Sequence, residues 1–199
     1  MKTEISMHRF ALDQLPVTPW KNGGGTTREI LCLPPGASMD NFDWRISIAT
    51  IEQSGPFSAF PGIDRVIMLL DGAGVRLRAG EINHCLDTSG QPFAFSGDLS
   101  LDCELLGGPS TDFNVMSRRN SLRAEVQVVT EARQIPPSAQ GLLMATRGAW
   151  HLQAKAHDFQ CPGGHGLWWD VAASWQATPI EANAQLIWVG LYGVEEAKR

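Results

Sequence analysis

A chain of 199 residues with 43% hydrophobic and 19% charged side chains has the make-up of a folded protein and can form one large domain or two small ones. Its net charge of -5, with no stripe of Lys or Arg, argues against nucleic acid as a partner. The longest apolar run, Leu186 to Tyr192, is far short of a bilayer span, and Met1-Lys2-Thr3-Glu4 leads into no signal-peptide core, so a cytoplasmic protein without a membrane partner is expected.

The first dense group of functional side chains is Trp20-Lys21-Asn22-Gly23-Gly24-Gly25-Thr26-Thr27-Arg28-Glu29. Three successive glycines lose much conformational entropy on ordering, so an ordered run marks unusual φ/ψ or close backbone approach. Trp20 can anchor one end in a core, and Thr26, Thr27 and Ile30 begin a strand at the other. A flexible surface loop is the plainer reading of the glycines. The Gly-x-x-x-x-Gly-Lys-Ser/Thr order of a phosphate-gripping loop is absent.

Next, Phe42, Trp44, Ile46 and Ile48 alternate with Asp43, Arg45 and Ser47, the period of a half-buried strand. Ser54 to Arg65 holds two prolines and two phenylalanines, Phe57 and Phe60, in a stiff loop that can close over an apolar site. It delivers Arg65 to the start of a strand. A guanidinium offers a planar donor fork that matches a carboxylate, so Arg65 is the first candidate for an anion anchor. The structural alternative is an ion pair with Asp64 or Asp43. Arg45 could be a second anchor, although a structural role is favoured for it.

Asp71-Gly72-Ala73-Gly74 then joins a strand over 65–70 to one over 75–79 as a hairpin, which implies antiparallel pairing. Leu99, Leu101, Cys103 and Leu105 alternate with polar residues, and Asp112, Asn114 and Met116 share one face of a further strand. Residues 120–134 are read as strand and linker rather than helix, because of their β-branched residues and Pro136-Pro137. Trp150, Leu152, Ala154 and Ala156 form another alternating strand. The four cysteines, Cys32, Cys85, Cys103 and Cys161, lack metal or disulfide spacing and are expected to be buried free thiols.

A faint repeat runs through these strands: Phe93 and Phe95 follow Gly72, and Trp169 follows Gly148, at matching intervals. Two copies of one β-barrel unit are expected, a first over 1–135 and a second, more degenerate one over 136–199. The second is short enough to draw on strands from the first half for completion.

Five blocks in order, Trp20 to Glu29, Phe42 to Ala49, Ser54 to Arg65, Gln91 to Phe95 and Asp112 to Met116, resemble the HutD/Ves family. The likeness covers roughly the first 120 residues; beyond them only length and strand character match. It implies an all-β, largely antiparallel double cupin (bicupin, double-stranded β-helix), in agreement with the repeat. Members of that family occur beside histidine-utilisation enzymes, where they are thought to restrain the pathway by binding an intermediate such as formylglutamate or urocanate. Others are stress-induced, and no established reaction comes with the resemblance.

Many cupins hold a metal through a His-x-His pair, a Glu and a third His, but no His-x-His occurs here. His157, Cys161 and His165 are spaced by four, with Asp170 after them, in a stretch whose Pro162-Gly163-Gly164 is turn chemistry. No metal and no cofactor are expected. The expectation is a small-molecule binding protein whose pocket, walled by Trp20, Phe57 and Phe60, holds a small carboxylate through Arg65 with Lys21, Asn22 or Asn114. The alternative is a metal-independent isomerase or hydrolase acting on a similar acid, with Glu29 as base. A protein partner or a homodimer is left open.

Overall fold

In a computed structural model, which describes residues 6–155 and 157–194, the chain is all-β. Met1–Glu4 and Ala156, used in the readings above, lie outside those residues. In chain order the strands are β1 (Met7–Ala11), β2 (Val17–Pro19), β3 (Gly25–Leu33), β4 (Trp44–Ile51), β5 (Gly55–Phe57), β6 (Ile63–Asp71), β7 (Val75–Ala79), β8 (Ile82–Leu86), β9 (Pro92–Ser96) and β10 (Leu101–Leu105). They continue as β11 (Ser110–Arg118), β12 (Leu122–Val129), β13 (Arg133–Ser138), β14 (Gln140–Arg147), β15 (Trp150–Ala154), β16 (His157–Cys161), β17 (His165–Trp169), β18 (Ala173–Pro179) and β19 (Gln185–Gly193). One 3-10 turn, Leu12–Gln14, interrupts them. Among the described residues no helix is long and apolar enough to cross a membrane.

The chain divides into two compact units, residues 15–123 and a second that joins the residues up to Gln14 to those from Ala124 onward. The first holds a six-stranded sheet, β2-β3-β4-β11-β6-β9, and a four-stranded sheet, β5-β10-β7-β8. The second holds β1-β17-β14-β19-β12 and β13-β18-β15-β16. The order β4-β11-β6-β9 thus recurs as β12-β19-β14-β17, and β5-β10-β7-β8 recurs as β13-β18-β15-β16. The sheets do not close into barrels.

Where the sequence analysis divides the chain at 135/136, the division by contacts falls at 123/124. Pro136-Pro137-Ser138 is the end of strand β13, not a linker. Two prolines are tolerated there because β13 is an edge strand and its register with β18 breaks between Ile135 and Ser138. β1 adds to the free edge of β17, so the second unit takes a strand from the start of the chain. Leu99 lies outside β10 and is exposed, so the alternation there begins only at Leu101.

The core of the first unit lies between its two sheets, with Ile51, Ile67, Leu69 and Phe95 from one and Val75, Leu77, Leu101 and Cys103 from the other. All four cysteines are free; Cys103 and Cys161 are buried, while Cys32 and Cys85 are half-buried, not buried as expected. The Trp20–Gly25 run is the turn of the β2–β3 hairpin: Trp20 N–H donates to the Gly25 carbonyl and Gly23 N–H to that of Trp20. Gly23 has a positive φ of 71°. Gly25 packs so closely on the Thr50 carbonyl and the Trp20 ring that a Cβ would collide with the backbone oxygen. Gly25→Ala is therefore expected to cost about 1–3 kcal/mol in a urea titration, as overpacking does, whereas Gly24→Ala, whose Cβ would meet only the Asn22 side chain, costs less.

Candidate functional site

Strand β11 runs through the middle of the six-stranded sheet, and its register with β4 and β6 sets out the inward face row by row. Met116 lies between Arg45 and Arg65, Asn114 between Ser47 and Ile67, and Asp112 between Ala49 and Leu69. β9 extends the first two rows with Phe95 beside Arg65 and Phe93 beside Ile67. On the other flank a β-bulge between Glu29 and Leu31 seats Glu29 opposite Ser47. Cross-strand neighbours share a face, so Arg45, Arg65, Asn114, Asp112, Ser47 and Glu29 all lie on the side that carries the core residues Ile51, Ile67 and Leu69.

Arg65 is the unusual member. It is 8% exposed, and its Nε is buried without a hydrogen-bond partner. Nη1 makes one long bond, 3.4 Å, to the Ser58 carbonyl. Three rings surround the guanidinium: Phe95 at 5.0 Å, Phe60 at 5.4 Å and Phe57 at 5.7 Å from its central carbon. Phe57 and Phe60 come from the stiff loop, as expected; Phe95 was missed as a site residue, although its alternation with Phe93 was legible. The ion pairs weighed as the structural alternative go elsewhere, since Asp64 is held by Arg119 and Asp43 by Arg118. Burial, with the charge of Arg45 nearby, pulls the Arg65 pKa down to about 10, so it remains a cation at neutral pH. A buried guanidinium whose Nε has no hydrogen-bond partner and which has no carboxylate beside it is costly to the folded chain.

Arg45 and Glu29 pair with each other. Arg45 Nε donates to Glu29 Oε2 at 2.7 Å and Nη1 to Ser47 Oγ at 3.2 Å. Glu29 is about half exposed and occupied by this bond, so it is not the desolvated base that the catalytic alternative needs. The buried carboxyl is instead Asp112. It is fully buried; Ser110 Oγ donates to its Oδ1, and Oδ2 has no partner. Burial pushes its pKa up to about 7, and desolvation with the nearby Asp112 charge pushes the Cys103 thiol up to about 12, which keeps Cys103 a neutral thiol at neutral pH. The shared face of Asp112 and Asn114 was visible in sequence; the burial that makes Asp112 matter was not.

Lys21 and Asn22 do not join this group. Both are exposed, and Asn22 Oδ1 accepts from Gly24 N–H to close the turn. Gly25 pairs with Ile51, which faces Ser110, whereas Arg65 pairs with Met116 six residues further along β11, about 20 Å away. Trp20 packs against the core at the hairpin end and donates Nε1–H to Thr27 Oγ1. The register thus sets the hairpin turn and Arg65 at different ends of the sheet, and Lys21 and Asn22 make no contact with Arg65 among the bonds of the described residues.

The start of β6 is fastened by Arg119, which donates to Asp64 Oδ1 at 2.6 Å, Asp98 Oδ2 at 2.7 Å, Ser96 Oγ at 2.8 Å and the Ile63 carbonyl at 3.2 Å. Gly62 N–H, then Arg119 and Ser96, hold the Asp98 carboxyl down to a pKa of about 2. Because this group binds next to Arg65, Arg119→Ala is expected to lower the melting temperature and weaken anion binding together. A titration in which only the melting temperature moved would show that the cluster does not position Arg65.

In the second unit the matching place is filled. Gly141 pairs with Trp169 of β17 and Gly190 of β19, as Arg65 pairs with Phe95 of β9 and Met116 of β11. A Cβ at Gly141 would collide with the Trp169 ring, which therefore takes the space a side chain would need. Trp150, Trp169, Trp175 and Trp188 are all buried in that core. No three His, Cys, Asp or Glu side chains gather to hold a metal ion among the described residues; Cys161 Sγ donates instead to the His165 carbonyl. Arg45 and Arg65, which flank Met116 on one face of the sheet, disfavour a second cation beside Arg65 by charge repulsion.

The HutD family model matches residues 13–188. The chain belongs to the HutD/Ves family. Protein Ves from Cronobacter sakazakii is 39% identical to it over 165 residues, 82% of this chain and 87% of that protein. Among solved structures of HutD/Ves relatives, HutD from Pseudomonas fluorescens, determined in a formate condition, is 29% identical with a TM-score of 0.79, covering 94% of this chain and 99% of that one. A conserved protein of unknown function from Pseudomonas aeruginosa is 31% identical with a TM-score of 0.84, covering 94% and 98%. A cupin 2 barrel protein from Leptotrichia buccalis, 9% identical with a TM-score of 0.61 over 96% and 99%, shows a cupin-like fold.

Proposed function

We propose that this HutD/Ves protein is a metal-independent bicupin that binds a small carboxylate metabolite in its first unit and thereby modulates histidine utilisation or a stress response. The observation that carries the reading is Arg65: a buried, charged guanidinium with an unpartnered Nε, walled by Phe57, Phe60 and Phe95. Asn114, 7% exposed two residues along the inward face from Met116, supplies an amide to the same side. The recurring strand order supports two cupin-like barrels, of which the second, filled with tryptophan, acts as scaffold. Formylglutamate and urocanate are the ligands the family connection suggests. Binding is favoured over turnover because Glu29 is engaged by Arg45.

The test is calorimetric titration with urocanate, formylglutamate, glutamate and formate. Saturable binding of at least one, lost in Arg65→Ala, is expected. Silence with all four, or an unchanged titration in the variant, contradicts the reading.

A further inference from the structure

The second unit keeps its tryptophans inside and a row of amides outside. On the sheet β13-β18-β15-β16, Ile135, Trp175, Ala177, Leu152 and Ala154 belong to the core, so the residues that alternate with them point outward. Register sets four of these in one row across all four strands: Gln134 beside Gln176, Gln176 beside Gln153, and Gln153 beside Asp158. The row, with Ser174, Lys155 and His157, lines a cavity of about 280 Å³.

Much of the bonding capacity of that row is unused. Gln153 Nε2–H donates to Asp158 Oδ2 at 2.9 Å and His151 Nε2–H to Oδ1, and these two bonds hold the Asp158 carboxyl below the usual carboxylate range, an ionised acceptor at neutral pH. Gln153 keeps its carbonyl oxygen. Among the described residues the amides of Gln134 and Gln176 and the Ser174 hydroxyl make no side-chain hydrogen bond. The matching sheet of the first unit, β5-β10-β7-β8, differs: Arg76 and Arg78 reach Glu104 at 3.8 and 3.1 Å, and Arg76 Nε donates to Cys85 Sγ, so its polar side chains satisfy one another.

The lining selects the kind of ligand. An anion would meet a single ammonium, Lys155, with the Asp158 carboxylate in the same cavity. A planar base would find no ring but His157 to stack on, and an apolar ligand would find little but Ala154. An amide offers a donor and an acceptor side by side, which suits a pair of neighbouring hydroxyls, each of them both donor and acceptor. We propose that this outer face binds a neutral polyhydroxylated ligand, a monosaccharide or polyol, through the amides of Gln134, Gln153 and Gln176 and the Asp158 carboxylate. The site is independent of Arg65. Its affinity is expected to be millimolar, because solvated polar groups gain little by exchanging water for hydroxyls.

Proton–nitrogen correlation NMR of the glutamine side-chain amides tests this, with glucose, galactose, mannose and sorbitol as probes. Saturable shifts of the Gln134, Gln153 and Gln176 signals are expected with at least one of them, and affinity roughly tenfold weaker in Gln176→Leu. Gln134→Leu, on the edge strand β13, should show the same weakening, and thermal unfolding of both variants separates lost binding from lost folding. Formate should leave the three amides unmoved. No saturable shift with any of the four probes, equal affinity in the folded variants, or a saturable response to formate alone overturns the proposal, and each leaves the reading of Arg65 as it stands.

Discussion

Arg65→Met is expected to abolish carboxylate binding without lowering the melting temperature. Truncating one side of a buried charged hydrogen-bonded pair costs about 2–5 kcal/mol of binding energy, a loss of roughly thirtyfold to a few thousandfold. Stability should respond differently, because without ligand the guanidinium is a buried cation with no opposite charge, and its pKa of about 10 reports the burden of keeping it charged there. Methionine fills much of the same volume between Phe57, Phe60 and Phe95 and makes favourable sulfur–ring contacts. A site that is costly to the empty protein and useful to the bound one is the usual trade between stability and function. Calorimetry and thermal unfolding on the same variant check both halves.

Asp112→Asn is expected to flatten the pH dependence of stability. The carboxyl sits near a pKa of about 7 in the folded protein against 3.8 ordinarily, so between these values the folded state holds a proton that the unfolded state releases. Stability therefore falls as pH rises from about 4 to about 7 and is flat above that. The full excursion is on the order of 4 kcal/mol, at about 1.4 kcal/mol per pKa unit. Asparagine keeps the shape, can accept from Ser110 and carries no charge, so urea titrations should find the variant more stable than wild type at pH 8 and little different at pH 4. Equal slopes for both proteins would show that Asp112 is not the group responsible.

The strands were legible because period-two alternation is a local signal, and the hairpin at Gly72 and Gly74 because turns need glycine at positive φ. What the alternation does not say is which face meets water. Arg45 and Ser47 alternate with Trp44, Ile46 and Ile48 as a solvent-facing side would, yet Ser47 is buried and the polar side is the interior of the unit. β4 lies inside a six-stranded sheet with both faces covered, and that is a property of the fold and not of the strand. The same gap explains Lys21 and Asn22. Nearness in sequence to Glu29 suggested a common site, but a strand carries its two ends far apart, so the hairpin tip and the bulge near Arg45 serve different ends of the sheet. Arg65 was legible because a stiff aromatic loop feeding an arginine is a local pattern; Phe95 needed the register that sets it beside Arg65, and the burial of Asp112 needed the fold.

The most direct measurement is a crystal structure of the protein soaked with formate or succinate. A carboxylate within hydrogen-bond distance of Arg65 Nε, enclosed by Phe57, Phe60 and Phe95, is the expected result. An occupied anion site elsewhere, with Arg65 Nε still unpartnered at saturating carboxylate, would contradict the account.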